Sequence, residues 1–402
     1  MKRGLLSSYF SGAAVKYLSA VEADTARSHQ HEINGVTQIR EILGDIRTEY
    51  RARLMLLSDN EDEIVTSEGD VTWYDSRENQ PHRAPEYRLY IRTGADAYEM
   101  ASEGDLLLIA LKQDGSLLIT ISPRESTIAH QLLWLFDLPS PTSADFAVKR
   151  VDEGSDVPVT LPVVSVLQYL GVEVQETIDN YLDPMLERFG ASFPSTAIFS
   201  SYARESLKIM ADDPDSAIVE CMEREEILFR TFEKHLVWER VQNGFKDVDE
   251  FIVFSLSVQN RRKARAGLAL ENHTQWIFDE HSIRYSRDQV TEGQSRPDFL
   301  FPGVGYYQDA SFPSERLSML GVKSTCKDRW RQVLAEAARI PRKDLLTLEP
   351  RISENQTDEM MAHNLSLVVP SSIHTTYTSK QRPALLTLND FLSLAKSNQI
   401  GL

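Results

Sequence analysis

Only two cysteines, Cys221 and Cys326, occur in 402 residues, too few and too far apart for a disulfide framework or a cysteine-based metal site. That scarcity fits a reducing compartment, so a cytoplasmic protein is expected. No apolar run is long enough to span a bilayer, and no membrane partner is expected. Met1-Lys2-Arg3-Gly4-Leu5-Leu6 begins like a signal peptide, but polar residues follow within a few positions. Internal repeats, a Walker loop and a dinucleotide-binding glycine fingerprint are all missing, which excludes solenoid, P-loop and Rossmann readings. Positive charge is short too. With 43 Lys and Arg against 60 Asp and Glu, the net charge of −17 argues at first sight against nucleic acid.

The distribution of charge argues the other way. Between Arg261 and Asp344 there are 15 basic residues against 11 acidic ones, a local balance of +4 that leaves −21 elsewhere. Binding to phosphate needs only a local basic surface, and an acidic exterior elsewhere keeps a protein soluble.

Within that region the chain changes character at one point. Leu317 to Val322 is short and apolar, as a buried strand is. From Lys327 onward Trp330, Val333, Leu334 and Ala337 recur at helical spacing, and Ser324 or Thr325 stands where a hydroxyl caps a helix. Lys323 therefore lies at a strand's end, with a helix expected from Lys327 to Ile340 carrying Glu336. Upstream, Arg296-Pro297-Asp298-Phe299-Leu300-Phe301-Pro302 puts an acid at the head of another short strand. A Pro-Asp strand, a second strand with lysine and a nearby acid form the constellation of metal-dependent nucleases. Carboxylates hold Mg²⁺, the ion clamps the scissile phosphate, and the lysine polarises the attacking water. In its commonest form the second acid sits two residues before the lysine; that position here is Gly321, so Glu336 must supply it. The competing reading of these residues is a solvated charged surface.

Along the chain, residues from Tyr9 to about Leu138 read as short strands separated by Gly and Asp clusters, with one helix at Val36 to Ile46. A small β-barrel is expected, with a hairpin turn at Gln113-Asp114-Gly115-Ser116. Asp59 to Glu63 is an acidic loop without an evident role. Prolines punctuate residues 139–194, which read as a linker with a helix over Val164 to Glu187. Helices follow at Ser216 to Val241, Asp247 to Leu256 and Asn260 to Phe278. Strands at Arg284 to Val290, Asp298 to Phe301, Leu317 to Val322, Leu345 to Leu348 and Leu365 to Pro370 then alternate with helices, a mixed sheet in an α/β domain.

Three long motifs in order carry a family resemblance: Asn260-Arg261-Arg262-Lys263-Ala264-Arg265-Ala266-Gly267, then Arg296 to Pro302, then Val322-Lys323-Ser324-Thr325-Cys326-Lys327-Asp328-Arg329-Trp330-Arg331-Gln332. With Leu367-Val368-Val369-Pro370-Ser371-Ser372 beyond them, the chain resembles the EcoRII family of restriction endonucleases, most densely from about Gly244 to Tyr377. The likeness continues more weakly through Val15-Lys16-Tyr17-Leu18, Ser28-His29-Gln30 and Tyr74-Asp75-Ser76-Arg77. It implies a B3-like pseudobarrel effector domain at 1–145, a linker with helix at 146–195 and a PD-(D/E)XK catalytic domain at 196–402.

The activity implied is that of a homodimeric, Mg²⁺-dependent type IIE enzyme. It would cut double-stranded DNA within 5′-CCWGG when the effector domain holds a second site, and a companion DNA cytosine methyltransferase would protect the host. Asp298, Lys323 and Glu336 carry over as the catalytic set, with Glu271 a further acid beside the metal. Lys327, Asp328 and Arg329 carry over as base readers. Cationic donors suit guanine O6 and N7 and a carboxylate suits cytosine N4, which fits a C·G-rich target. Arg261, Arg262, Lys263 and Arg265 are expected on phosphates. In the effector domain His29 and Gln30 are expected on DNA, with Lys16, Arg77 and Arg88 beside them. Cys221-Met222-Glu223-Arg224-Glu225 departs from the family's arginine-rich run, and the loop between Arg77 and Arg88 departs in length and content. A non-cleaving DNA-binding protein on a nuclease scaffold is the alternative, and a structure-specific repair nuclease a third reading.

Overall fold

The computed structural model describes residues 4–23, 32–33, 38–60, 63–80, 82–92, 95–142, 146–151, 157–174 and 181–402, with Asp328 described by its backbone alone. The chain divides into two compact units, Met1–Gln175 with Arg351–Gln356, and Glu176–Pro350 with Thr357–Leu402.

The first unit is built on one eight-stranded sheet. Its strands are β1 (Phe10–Tyr17), β2 (Glu32–Ile33), β3 (Thr48–Leu56), β4 (Val65–Asp75), β5 (Tyr87–Ile91), β6 (Leu106–Lys112), β7 (Leu117–Ser122) and β8 (Ala147–Arg150). They lie in the order β2-β5-β4-β3-β7-β6-β1-β8, antiparallel throughout except for β3 beside β7. Among the described residues no pairing joins β2 to β8, so the sheet stays open, as in a pseudobarrel rather than a closed barrel.

Both faces of the sheet are covered, which explains the unbroken apolar run of β6. Leu106 and Leu108 face a core closed by α1 (Thr127–Leu135) and α2 (Leu161–Tyr169), while Leu107 and Ile109 join Trp73 and Leu89 on the other side. The expected helix at Val36 to Ile46 shrinks to one turn, Arg40–Leu43, because Gly44 turns the backbone out at φ 79°. Residues 34–37 lie outside the described residues. Asp59 has a local task after all: its carboxylate accepts the Thr127 and Ile128 N–H groups (2.9 and 3.1 Å) at the start of α1. The span read as a linker is divided. β8 pairs with β1 and α2 packs in the first unit, whereas α3 (Leu182–Phe189) lies in the second.

The second unit opens with helices α3, α4 (Thr196–Leu207), α5 (Pro214–Asn243) and α6 (Val248–Glu280). Asp213 caps α5 with Pro214 in its first turn, and Gly244 at φ 73° ends it. The two helices expected over 247–278 are one. No proline interrupts Ser257 to Asn260, and the interior Gly267 costs too little to break a 33-residue helix. A five-stranded sheet follows: β9 (Ser286–Arg287), β10 (Phe299–Phe301), β11 (Ser318–Val322), β12 (Lys343–Leu346) and β13 (Leu365–Val368), in the order β13-β12-β11-β10-β9. β12 runs parallel to both its neighbours and the remaining pairs are antiparallel, a mixed sheet flanked by helices. Phe278 of α6 meets Phe299 and Phe301 edge-on (5.1 and 5.2 Å between centroids), seating α6 on the strand that follows Asp298.

Candidate active site

Asp298 immediately precedes β10, and Lys323 immediately follows β11. The antiparallel register Phe299↔Leu320 brings these ends together. Asp298 Oδ2 accepts the Lys323 Nζ at 2.9 Å and the Val322 N–H at 2.6 Å. Both side chains are largely buried, at 18% and 13% exposure, yet retain an opening to solvent. The backbone bond fixes the carboxylate, and the lysine leaves it charge-paired rather than buried alone.

Gly321 explains where the second acid comes from. A Cβ there would stand 3.0 and 3.2 Å from the two Val333 methyls and 3.4 Å from Leu345 Cδ1. The space a side chain at 321 would fill is taken by Val333 of α7 (Trp330–Leu334), and that packing brings Glu336 to the site from three residues further on. The long helix expected over 327–340 is not formed. A 3₁₀ turn at Lys327–Arg329 leads into α7, which ends at Leu334, and Ala337 at φ 45° turns the chain away. Glu336 therefore sits in a turn.

That turn is held by residues the sequence did not single out. Lys343 Nζ donates to the Ile340 carbonyl (2.9 Å) and more distantly to that of Ala337 (3.4 Å). Arg339 donates to the carbonyls of Tyr307, Asp309 and Phe312. A charged Lys343-Asp344 pair at the head of an apolar strand was the available signal. Burial, reinforced by the negative charge of Asp298, pushes the Glu336 carboxyl up to about 7, with Lys323 and Lys343 opposing. Its Oε2 is buried and has no hydrogen-bond partner among the described residues.

Glu271 lies close enough to feel Asp298. Burial raises its carboxyl, Arg287 opposes that, and Asp298 adds to it. Its oxygen is taken by Arg287 Nη2 at 2.7 Å, and the same guanidinium reaches Asn272 and Gln275. The expected three-acid metal set is thus not assembled: among the described residues no three His, Cys, Asp or Glu side chains are grouped to hold an ion. The pair Asp298 and Glu336 does fit a hard divalent cation. Two mutually repelling carboxylates, one with an unsatisfied buried oxygen, are a donor set that a dication relieves. Mg²⁺ commonly takes only one or two carboxylates, leaving its other positions to water and phosphate.

The other expected residues separate by burial. Arg329 is exposed just beyond the site, whereas Lys327 is buried at 9% and already engaged. Arg261 lies over the Phe193 ring, Arg262 pairs with Glu233 at 2.7 Å, and Lys263 is exposed. Arg265 corrects its expectation: it is buried and ion-paired with Glu226, so it is a core residue and not a phosphate contact. In the departing run, Cys221, Met222 and Glu225 are buried as well. Burial pushes the Cys221 thiol up to about 12.

In the first unit Lys16 is likewise buried, paired with Glu22, whose other oxygen holds the Ser19 hydroxyl at 2.7 Å. It faces no solvent and cannot serve as a DNA contact from the surface. Arg88 is clamped between Glu32 (2.5 Å) and Glu86 (2.9 Å), and Arg77 pairs with Glu86. His29 and Gln30 lie outside the described residues.

The second unit's mixed sheet, with an aspartate and a lysine meeting at adjacent strand ends and a glutamate in the following turn, has the arrangement expected of a metal-dependent nuclease domain. Residues 229–392 match the family described as EcoRII C terminal. The chain is 41% identical over 224 residues to the type II restriction enzyme EcoRII of Escherichia coli, covering 56% of this chain and 55% of that one. The match thus spans about half the length of that relative. Among solved structures, metal-depleted Ecl18kI with uncleaved, modified DNA aligns at 19% identity and a TM-score of 0.43, over 54% of this chain and 83% of that one. The PspGI–substrate DNA complex aligns at 15% identity and 0.43, over 55% and 97%.

Proposed function

We propose that this chain is a type II restriction endonuclease that hydrolyses phosphodiester bonds of double-stranded DNA at CCWGG-like sites. The observation that carries the reading is the Asp298–Lys323 pair at adjacent strand ends, with Glu336 near enough to feel both charges and one of its carboxylate oxygens buried and unsatisfied. Asp298 and Glu336 would hold Mg²⁺, which supplies positive charge to the scissile phosphate and eases deprotonation of water. Lys323, tied to Asp298, presents its ammonium group where negative charge develops on the phosphate. Asp298 keeps that ammonium aimed, and burial of the group strengthens its field. Arg329, with Asp328, would read base edges from the turn that the buried Lys327 begins, and Lys263 with Arg261 and Arg262 would meet phosphates.

The first unit, which takes in β8 and α2 from the span expected as a linker, is proposed as an effector domain that binds a second site, and the second unit as the catalytic domain. Support for the effector role is the open eight-stranded sheet and the likeness of its motifs. A homodimer in the cytoplasm and a companion cytosine methyltransferase complete the proposal. Two-site action is tested by comparing plasmids with one and with several CCWGG sites, in Mg²⁺ and in EDTA. Faster cutting of the multi-site plasmid, restored on the other by added site-bearing duplex, is expected; equal rates contradict second-site stimulation.

A further inference from the structure

We infer that Glu349 is a positioning residue for sequence discrimination: its buried carboxylate holds the backbone of the reader segment Cys326 to Arg329 in one conformation. The inference rests on the endonuclease reading and deepens it. β11 and β12 run parallel in the register Val322↔Leu346, so the chain leaves both strands side by side on the edge where Lys323 stands. A few residues on, the Glu349 carboxylate oxygen Oε2 accepts the Cys326 N–H at 2.5 Å and, more distantly, the Lys327 N–H at 3.4 Å.

The backbone of Glu349 is itself held by its neighbours. The Glu349 N–H donates to Thr347 Oγ1 (3.2 Å), and its carbonyl accepts the Tyr377 hydroxyl (2.7 Å). Glu349 is 4% exposed, with Cys326 and Thr347 fully buried around it. A buried carboxylate is costly to keep unless it satisfies donors, and its donors here include backbone groups of the segment that must be placed. Lys327 has the left-handed backbone φ of 35°, which a lysine does not adopt without support. The anchored amides immediately precede and include that residue. Two consecutive N–H groups on one carboxylate define the direction in which the 3₁₀ turn Lys327–Arg329 leaves the strand, and hence where Arg329 points.

Because Glu349 is buried and acts on the backbone of the reader segment, its loss should weaken discrimination more than the chemical step. The test uses the full chain unaltered and as Glu349→Ala and Glu349→Gln. Cleavage of a CCWGG duplex is compared with duplexes changed at one outer base pair, alongside amide exchange at Cys326 and Lys327 and thermal unfolding. In Glu349→Ala the ratio of cognate to altered-site cleavage is expected to fall by about ten- to a hundredfold, the worth of a base contact. Rates on the altered duplexes should hold and both amides should lose protection. Glu349→Gln keeps one acceptor oxygen and the side chain's shape, so it should fall between and remain folded if the alanine variant does not.

Unchanged discrimination, or an equal loss on every duplex, overturns the positioning role, as does unfolding of both variants. If the unaltered chain neither cuts nor binds any duplex, the endonuclease reading fails and the discriminating role fails with it. Amide exchange then still reports whether Glu349 holds the segment.

Discussion

Val333 occupies the space that a side chain at position 321 would need, its methyls 3.0 and 3.2 Å from the position of a Cβ on Gly321. The acid commonly found on this strand is therefore displaced, and the same packing delivers Glu336 in its place.

Gly321→Ala is expected to overpack this contact at a cost of about 1–3 kcal/mol, read as a lower midpoint in urea. Val333→Ala costs stability alone but should restore part of it in the Gly321→Ala background. Additive effects of the two changes would show that the contact is not tight.

Glu336 must be ionised to hold a cation, and its carboxyl stands at about 7 in the free protein. Cleavage at low Mg²⁺ should therefore rise as pH goes from 6 to 8. Saturating Mg²⁺ should move the half-maximal pH downward, because the ion stabilises the charged form. A profile flat over that range at limiting Mg²⁺ would contradict this.

Asp344 is buried, and burial pushes its carboxyl up to about 7, only partly offset by Arg342. A carboxyl whose pKa is raised on folding favours the folded state most below its unfolded value near 4. That contribution is lost as pH rises toward 7. Thermal stability should thus decline between pH 5 and pH 8, and Asp344→Asn should flatten the decline by on the order of 5 °C. An unchanged slope in the variant would assign the decline to other groups.

Arg265 and Lys263 lie two residues apart on α6 but should behave oppositely. Arg265→Ala takes one of two arginines from the buried Glu226, which keeps Arg230, and leaves a hole in the packing, a loss of about 1–3 kcal/mol in unfolding free energy. Lys263→Ala, at an exposed position, should leave stability within about 0.5 kcal/mol while reducing the salt dependence of DNA binding. A stable Arg265→Ala with weakened DNA binding would return Arg265 to the interface.

Much of the site was legible because strand ends and their chemistry are local. The apolar run ending at Val322 and the Pro-Asp strand put Lys323 and Asp298 at the right places, and the mixed sheet pairs them. Gly321 was legible as a departure, but its cause was not, since Val333 contacts it only in three dimensions. Helical spacing from Trp330 to Ala337 suggested a continuous helix; it stops at Leu334, Ala337 turns the chain at φ 45°, and Lys343 holds the Ile340 and Ala337 carbonyls of the turn that follows. Basic residues were the least legible. Arg265 and Lys16 look like their exposed neighbours in sequence, and only partners from elsewhere in the chain, Glu226 and Glu22, show that they are buried. The loop acid Asp59 caps a helix 68 residues on, a pairing no spacing rule could show.

The central claim is that Asp298, Lys323 and Glu336 form one cation-dependent centre. It is tested most directly by single-turnover cleavage of a CCWGG duplex by the unaltered chain, Asp298→Ala, Lys323→Ala and Glu336→Gln, with Mg²⁺ or EDTA. The unaltered chain should cut only with Mg²⁺. Each variant should lose at least about a thousandfold in rate while binding the duplex within a few-fold of the unaltered chain. Cleavage by Lys323→Ala at a near-normal rate, or cleavage in EDTA, would contradict the assignment.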